Sequence, residues 1–141
     1  MIVRYQNHIK GGTKTDHISA FWDIMPTLAD LINTEIPANE VTDGVSFLPT
    51  LLNKSIQEEH EYLYWEFHER GGRLALRIDD WKMVVLNAKT KKKEKIELYN
   101  LADDLGENNN LKDMNPEKTK EMYDKMKTLH TKSDIFPFYS R

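Results

Sequence analysis

The chain has 141 residues, of which 39% are hydrophobic and 30% charged, and its formal net charge is -3. This length fits one domain, or one small domain and part of another. The weak negative charge argues against a nucleic-acid partner, and no apolar run reaches the about 20 residues that span a bilayer, which argues against a membrane. The chain contains no cysteine, which excludes disulfides, thiolate metal sites and cysteine nucleophiles. Residues 1–4 do not have the architecture of a signal peptide, so the location of the protein stays open.

The first part of the chain predicts a strand and two short helices. Residues 1–5 form an apolar strand candidate, and within residues 20–32 Ile24, Thr27, Leu28 and Leu31 recur at helical spacing. Proline is tolerated in the first turn of a helix, so we place the N-cap at Asp23, whose carboxylate would accept from the free amides of that turn. An earlier start with a kink at Pro26 is the alternative. Ser46 is the predicted cap of the second helix.

Four segments further along are predicted strands, and in the first two the side chains divide between two faces with the period of 2 that is typical of strands. They span residues 61–67, 73–79, 81–86 and 96–101. Their short connections predict an antiparallel β-meander. In the first segment Leu63, Trp65 and Phe67 share one face, and we expect the C-terminal helix to cover that face.

The helix that would cover the sheet follows Asn115, its predicted N-cap. Met122, Met126 and Leu129 lie at i, i+4 and i+7 and form a single apolar stripe. The sequence therefore predicts an α+β fold: a four-stranded antiparallel meander packed by a C-terminal helix and preceded by a strand and a helix.

The order of these segments resembles the C-terminal third of the sulfatase family, arylsulfatase-like enzymes of the alkaline-phosphatase-like superfamily. The matching motifs begin at Asp23 (Asp-Ile-Met-Pro-Thr-Leu), Asp43 (Asp-Gly-Val-Ser-Phe-Leu-Pro), Tyr64 (Tyr-Trp-Glu-Phe), Arg77 (Arg-Ile-Asp-Asp-Trp-Lys) and Glu97 (Glu-Leu-Tyr-Asn-Leu). The ordered series spans nearly the whole chain. Gln6-Asn7 departs from the family, in which many members carry Pro-Gly there.

The resemblance implies two parts and an activity. Residues 1–58 would be a remnant of the α/β catalytic domain, with its terminal strand, helix and linker. Residues 59–141 would be the C-terminal subdomain, an antiparallel sheet plus helix. The parent activity would be hydrolysis of sulfate esters, on sulfated saccharides.

The catalytic groups of such enzymes are not expected in this chain. Sulfatases use a formylglycine, made from Cys or Ser in a Cys/Ser-x-Pro/Ala-x-Arg sequence, and a calcium ion held by Asp and Asn or Gln side chains. Neither Ser46 nor Ser55 has the arginine at that spacing. Acidic pairs at positions 79–80 and 103–104 are interpreted as turn residues. We therefore expect no catalytic residue, metal ligand or cofactor in this chain, and no activity from the chain alone.

The candidate substrate-binding residues are His68, Glu69 and Arg70, at the loop of the first hairpin. In related enzymes loops of this subdomain reach the substrate cleft. Arg70 could pair with a carboxylate or sulfate and His68 could donate to a hydroxyl; the alternative is an ordinary polar hairpin tip. The histidines form no metal-binding spacing, and His60 and His130 are expected at the surface.

The expected partners are a sulfated saccharide and another protein chain. Exposed apolar faces of residues 1–5 and 21–31 would promote self-association or pairing with a separate catalytic chain. The lysine cluster at residues 89–95 is interpreted as a solvated connection, with anionic glycans as its alternative ligand. A free-standing carbohydrate-binding or split-enzyme partner module is the alternative function.

Overall fold

The computed structural model describes residues 1–54 and 56–138. The chain divides into two compact units, Met1–His60 and Glu61–Arg141. The sequence analysis predicts the boundary after residue 58. The interpretation of residues 1–58 as a catalytic-domain remnant and of residues 59–141 as a C-terminal subdomain stays a prediction. Ser55 and the last three residues, which fall within those predicted parts, lie outside the described residues. In the described ranges no helix has the length and apolar character needed to cross a membrane.

The Met1–His60 unit is built from helical turns. Its helices are α1, Ile24–Leu31, and α2, Leu48–Leu51. A 3-10 turn leads directly into α1, so helical backbone begins before the helix proper, while Pro26 lies in the first turn as predicted. The predicted strand at residues 1–5 is wrong: in the described part of the chain this segment pairs with no strand. A short apolar run alone does not make a strand, because the backbone needs a neighbouring strand to satisfy its polar groups.

Thr27 ties α1 to the start of α2. Its hydroxyl donates to the carbonyl oxygen of Asp23 at 2.6 Å and accepts from the N–H of Phe47 at 3.0 Å. Phe47 occupies the N-cap of α2, not Ser46 as predicted. Ser46 still contributes, because its hydroxyl oxygen accepts from the N–H of Leu48 at 3.3 Å.

The second unit contains the predicted meander. Its strands are β1 Leu63–Phe67, β2 Arg73–Ile78, β3 Trp81–Leu86 and β4 Lys95–Asn100. They pair antiparallel in the order β1-β2-β3-β4. A 3-10 turn at Lys91–Lys93 lies in the charged connection between β3 and β4.

The third helix, α3, spans Pro116–Thr128 and packs on one face of this sheet. Asn115 is its N-cap residue, as predicted, although its side chain makes no capping hydrogen bond. Met122 and Met126 are buried against the sheet, and Leu129 packs at the edge of the same cluster. The rest of the buried cluster is Leu74, Leu76, Met83, Val85, Ala88, Leu98 and Phe138. The predicted apolar stripe is therefore the one that closes the core.

The predicted face of β1 is wrong. Tyr64 lies directly opposite Leu76, which is fully buried in the core. Directly opposed residues of an antiparallel pair project from the same face, so Tyr64 lies on the helix-covered side. Leu63, Trp65 and Phe67 lie on the other side, where Trp65 is 37% and Phe67 48% exposed. Aromatic side chains occupy both faces of β1, so alternation could not choose between them; the register with β2 does.

Candidate functional site

The candidate site is the loop between β1 and β2, residues 68–72. Arg70, Gly71 and Gly72 adopt φ angles of 51°, 83° and 80° in succession, all in the left-handed region. Glycine enters this region without strain, and arginine rarely does. The N–H of Gly72 donates to the carbonyl oxygen of Glu69 at 3.0 Å and closes the loop. The backbone of this loop is therefore sharply and specifically bent.

The turn that follows β3 anchors the loop. The N–H groups of Ala88 and Lys89 donate to the carbonyl oxygens of Gly72 and Gly71, each at 3.0 Å. These two bonds lie just beyond the ends of β2 and β3 and are one residue out of the register of that strand pair. The loop is consequently held to the sheet through the backbone of its glycines. The side chains of His68, Glu69 and Arg70, which precede the glycines, take no part in these two bonds.

The three predicted residues share the loop but not the same surroundings. His68 is partly buried, with its ring centroid 4.2 Å from that of Phe136 and 5.0 Å from that of Phe138. Glu69 and Arg70 are exposed, and across the described residues neither forms an ion pair. An exposed guanidinium can bind a sulfate or carboxylate through two parallel N–H bonds. The loop thus presents one cation, one anion and one supported imidazole.

A second polar group, which the sequence analysis missed, connects β1 with the end of α3. The hydroxyl of Tyr64 donates to Oε1 of Glu66 at 2.6 Å, and Nδ1 of His130 lies 2.7 Å from the same oxygen. Both members of the His130–Glu66 pair are partly buried, so the expected surface position of His130 is wrong. The two residues are 64 positions apart, and no local pattern in the sequence links them.

In the Met1–His60 unit, Asp23 is the buried hydrogen-bonding centre. Its carboxylate accepts from the N–H of Ala20 at 2.6 Å and from the N–H of Val45 at 3.0 Å. Nε2 of His60 lies 2.8 Å from the same carboxylate. Asp23 is the N-cap residue of α1, as predicted, but its side chain bonds none of the amides of that helix. The expected surface position of His60 is also wrong, and the pair holds distant segments of this unit together.

The described residues do not fit the calcium site of the resembled family. Within residues 1–54 and 56–138, no three His, Asp or Glu side chains gather closely enough to hold a metal ion. Asp104 instead serves its own loop, accepting from the N–H groups of Asn108 and Asn109 at 2.7 and 2.8 Å. The bond from Asn109, followed by those from Asn108, lowers the pKa of Asp104 below its ordinary value.

Solved structures of other proteins share this fold. One, described as in complex with its substrate D-glucosamine-2-N,6-O-disulfate, is 26% identical, with a TM-score of 0.71 over 90% of this chain and 27% of that chain. Another, a putative sulfatase from Bacteroides thetaiotaomicron, is 27% identical, with a TM-score of 0.58 over 76% of this chain and 23% of that one. Human steryl-sulfatase is 35% identical over 63 residues, which are 45% of this chain and 11% of that protein. The fold and these relatives define a C-terminal portion of a sulfatase, and the chain spans only a minor part of each relative's length.

The family itself follows from a match over almost the whole chain. The model of the family described as N-sulphoglucosamine sulphohydrolase, C-terminal, matches residues 1–133. The chain belongs to this family. The resemblance to the sulfatases and the α+β fold class are both confirmed.

Proposed function

We propose that this chain is the C-terminal portion of a sulfatase that hydrolyses sulfate esters of saccharides, and that it supplies substrate recognition without catalysis. The observation that carries this proposal is the likeness, over 90% of the chain at 26% identity, to a structure described with a sulfated glucosamine as its substrate. The whole activity would belong to a longer assembly, because this chain covers 27% of that structure.

The loop of residues 68–72 is the proposed recognition element. Arg70 is exposed and would bind a sulfate group through charge-assisted hydrogen bonds. His68 would donate to a sugar hydroxyl and Glu69 would accept from one. The residues that would attack sulfur and hold the calcium ion of the family are not assigned to this chain.

The test has a catalytic and a binding arm. The purified chain is incubated with a chromogenic aryl sulfate, with and without calcium, and we expect no release of sulfate. It is then titrated with D-glucosamine-2-N,6-O-disulfate, and we expect Arg70→Gln to weaken binding on the order of ten-fold, since a hydrogen bond to a charged group contributes about 1.5–3 kcal/mol. Lys92→Gln, which removes an exposed charge from the β3–β4 connection, is the matched control.

Two results would reject the proposal. Calcium-stimulated release of sulfate by the chain alone would show that it is not catalytically incomplete. Equal loss of binding in the Arg70 and Lys92 variants would mean that the ligand responds to total charge and not to the loop.

A split enzyme, in which this chain pairs with a separately encoded catalytic chain, is the second candidate. It is favoured by an apolar stripe on and beside α1, formed by Phe21, Met25, Leu28 and Ile32, each at least half exposed. Exposed apolar patches of this kind mark protein contacts. Mixing the chain with a catalytic chain that carries the Cys/Ser-x-Pro/Ala-x-Arg motif, followed by light scattering and an aryl sulfate assay, would distinguish a partner from self-association.

A further inference from the structure

The aromatic segment, residues 135–138, folds back against the β1–β2 loop. Phe138 is only 1% exposed and belongs to the core cluster between the sheet and α3. Phe136 is 64% exposed, yet its ring meets that of His68 at a centroid distance of 4.2 Å and an interplanar angle of 33°. The ring of Phe138 approaches the same imidazole edge-on at 5.0 Å. His68 is therefore bounded by two aromatic rings from one segment.

Gly72 shows how closely this segment fits the loop. A Cβ at this position would lie 3.0 Å from Cζ of Phe138 and 2.7 Å from Cγ of Lys89. The φ angle of Gly72 also favours glycine, so a side chain at this position would be strained and would crowd both neighbours. Lys89 completes the enclosure, with its ammonium nitrogen 5.4 Å from the ring centroid of Phe138. The aromatic segment and the loop are thus one packed unit.

We propose that the aromatic segment is a positioning element that holds the imidazole of His68 in one orientation for ligand binding. Phe138 anchors the segment in the core, and Phe136 covers the open side of the imidazole. Glu69 and Arg70 stay exposed, so the support restrains one recognition residue and leaves the other two accessible. A side chain that is ordered before the ligand arrives loses less conformational entropy on binding.

The ligand in this inference is the sulfated saccharide of the proposed function, so that part rests on the proposed function. The contact between Phe136 and His68 does not depend on it. Phe136→Ala is the informative variant, because the side chain is mostly exposed and its loss should leave the fold intact. Ile135→Ala is the matched control, since Ile135 is 97% exposed in the same segment. Phe136→Leu removes the aromatic ring but keeps an apolar side chain, so it distinguishes the effect of the ring from the effect of apolar volume.

Two measurements are made on each variant of the full chain. The first is the NMR chemical shift of the His68 ring protons, which the neighbouring aromatic ring displaces. We expect Phe136→Ala and Phe136→Leu to change it and Ile135→Ala to leave it unchanged. The second is the Kd for D-glucosamine-2-N,6-O-disulfate, which we expect Phe136→Ala to raise on the order of five-fold, in line with the loss of one aromatic contact.

The two measurements separate this inference from the function on which it depends. Unchanged His68 shifts in both Phe136 variants would overturn it, and so would changed shifts with the same Kd as the wild type. If the wild-type chain does not bind the disulfate, the proposed function fails, and the chemical shifts still decide whether the segment holds His68.

Discussion

Nε2 of His60 lies 2.8 Å from Oδ1 of Asp23, and the two side chains are 8% and 1% exposed. The residues are 37 positions apart, so this contact joins the end of the Met1–His60 unit to the start of α1. The same carboxylate accepts two backbone N–H groups. Removal of this buried carboxylate would leave its three hydrogen-bonding partners unsatisfied.

Asp23→Ala should lower the free energy of unfolding of the Met1–His60 unit by about 3–5 kcal/mol, because it leaves His60 and two N–H groups without their acceptor. Urea denaturation and hydrogen exchange at the amide of Val45 would measure the effect. Asp30→Ala, at an exposed position of the same helix, is the control and should change stability by less than about 0.5 kcal/mol. Equal effects in the two variants would contradict the central role of Asp23.

Leu76→Ala should destabilise the second unit more than Phe67→Ala, although phenylalanine is the larger side chain. Leu76 is fully buried under α3, and its truncation should cost about 2–5 kcal/mol. Phe67 lies on the opposite face and is 48% exposed, so its loss should cost about 1 kcal/mol. Urea midpoints of the two variants give the comparison. The reverse order would restore the face that the alternation in β1 first suggested.

Asp124 should make the second unit sensitive to acid. Hydrogen bonds from Lys120 and then Lys127 lower the pKa of Asp124 from 3.8 to about 2. Because the folded pKa lies below the unfolded one, the stabilisation is present above about pH 4 and is lost as the pH falls toward 2. Asp124→Asn should therefore lose less stability than the wild type between pH 4 and 2 in thermal melts. The carboxylate is exposed, so 0.5 M salt should shrink the difference, and a difference that salt leaves intact would argue against this origin.

The apolar stripe of Phe21, Met25, Leu28 and Ile32 should drive association of the chain with itself when no partner is present. Leu28→Lys combined with Ile32→Lys should lower the mass measured by light scattering. Val41→Lys combined with Ile56→Lys introduces the same charge at two exposed positions outside α1 and should leave the mass unchanged. A wild-type chain that stays monomeric across the concentration range would show that the stripe does not self-associate.

Local patterns were sufficient to predict the four strands, α3 and its buried methionines. Strands with short antiparallel connections and a helix with a single apolar stripe can be predicted from the hydrophobic pattern of a few neighbouring residues. The ordered motifs likewise indicate the sulfatase family. The loop of His68, Glu69 and Arg70 was predicted for the same reason, since its ends are set by the strands that flank it; its binding role stays a prediction.

Only the tertiary structure decided which side chains meet. Both faces of β1 carry aromatic residues, so the pairing of Tyr64 with Leu76 was needed to choose the buried one. The partners of Asp23 and Glu66 lie 37 and 64 positions away, and the rings that hold His68 come from the far end of the chain. Hydrophobic periodicity and secondary-structure propensity depend on residues within one or two turns of backbone. The contacts of Asp23, Glu66 and His68 form only after the chain has closed long loops and buried these groups together.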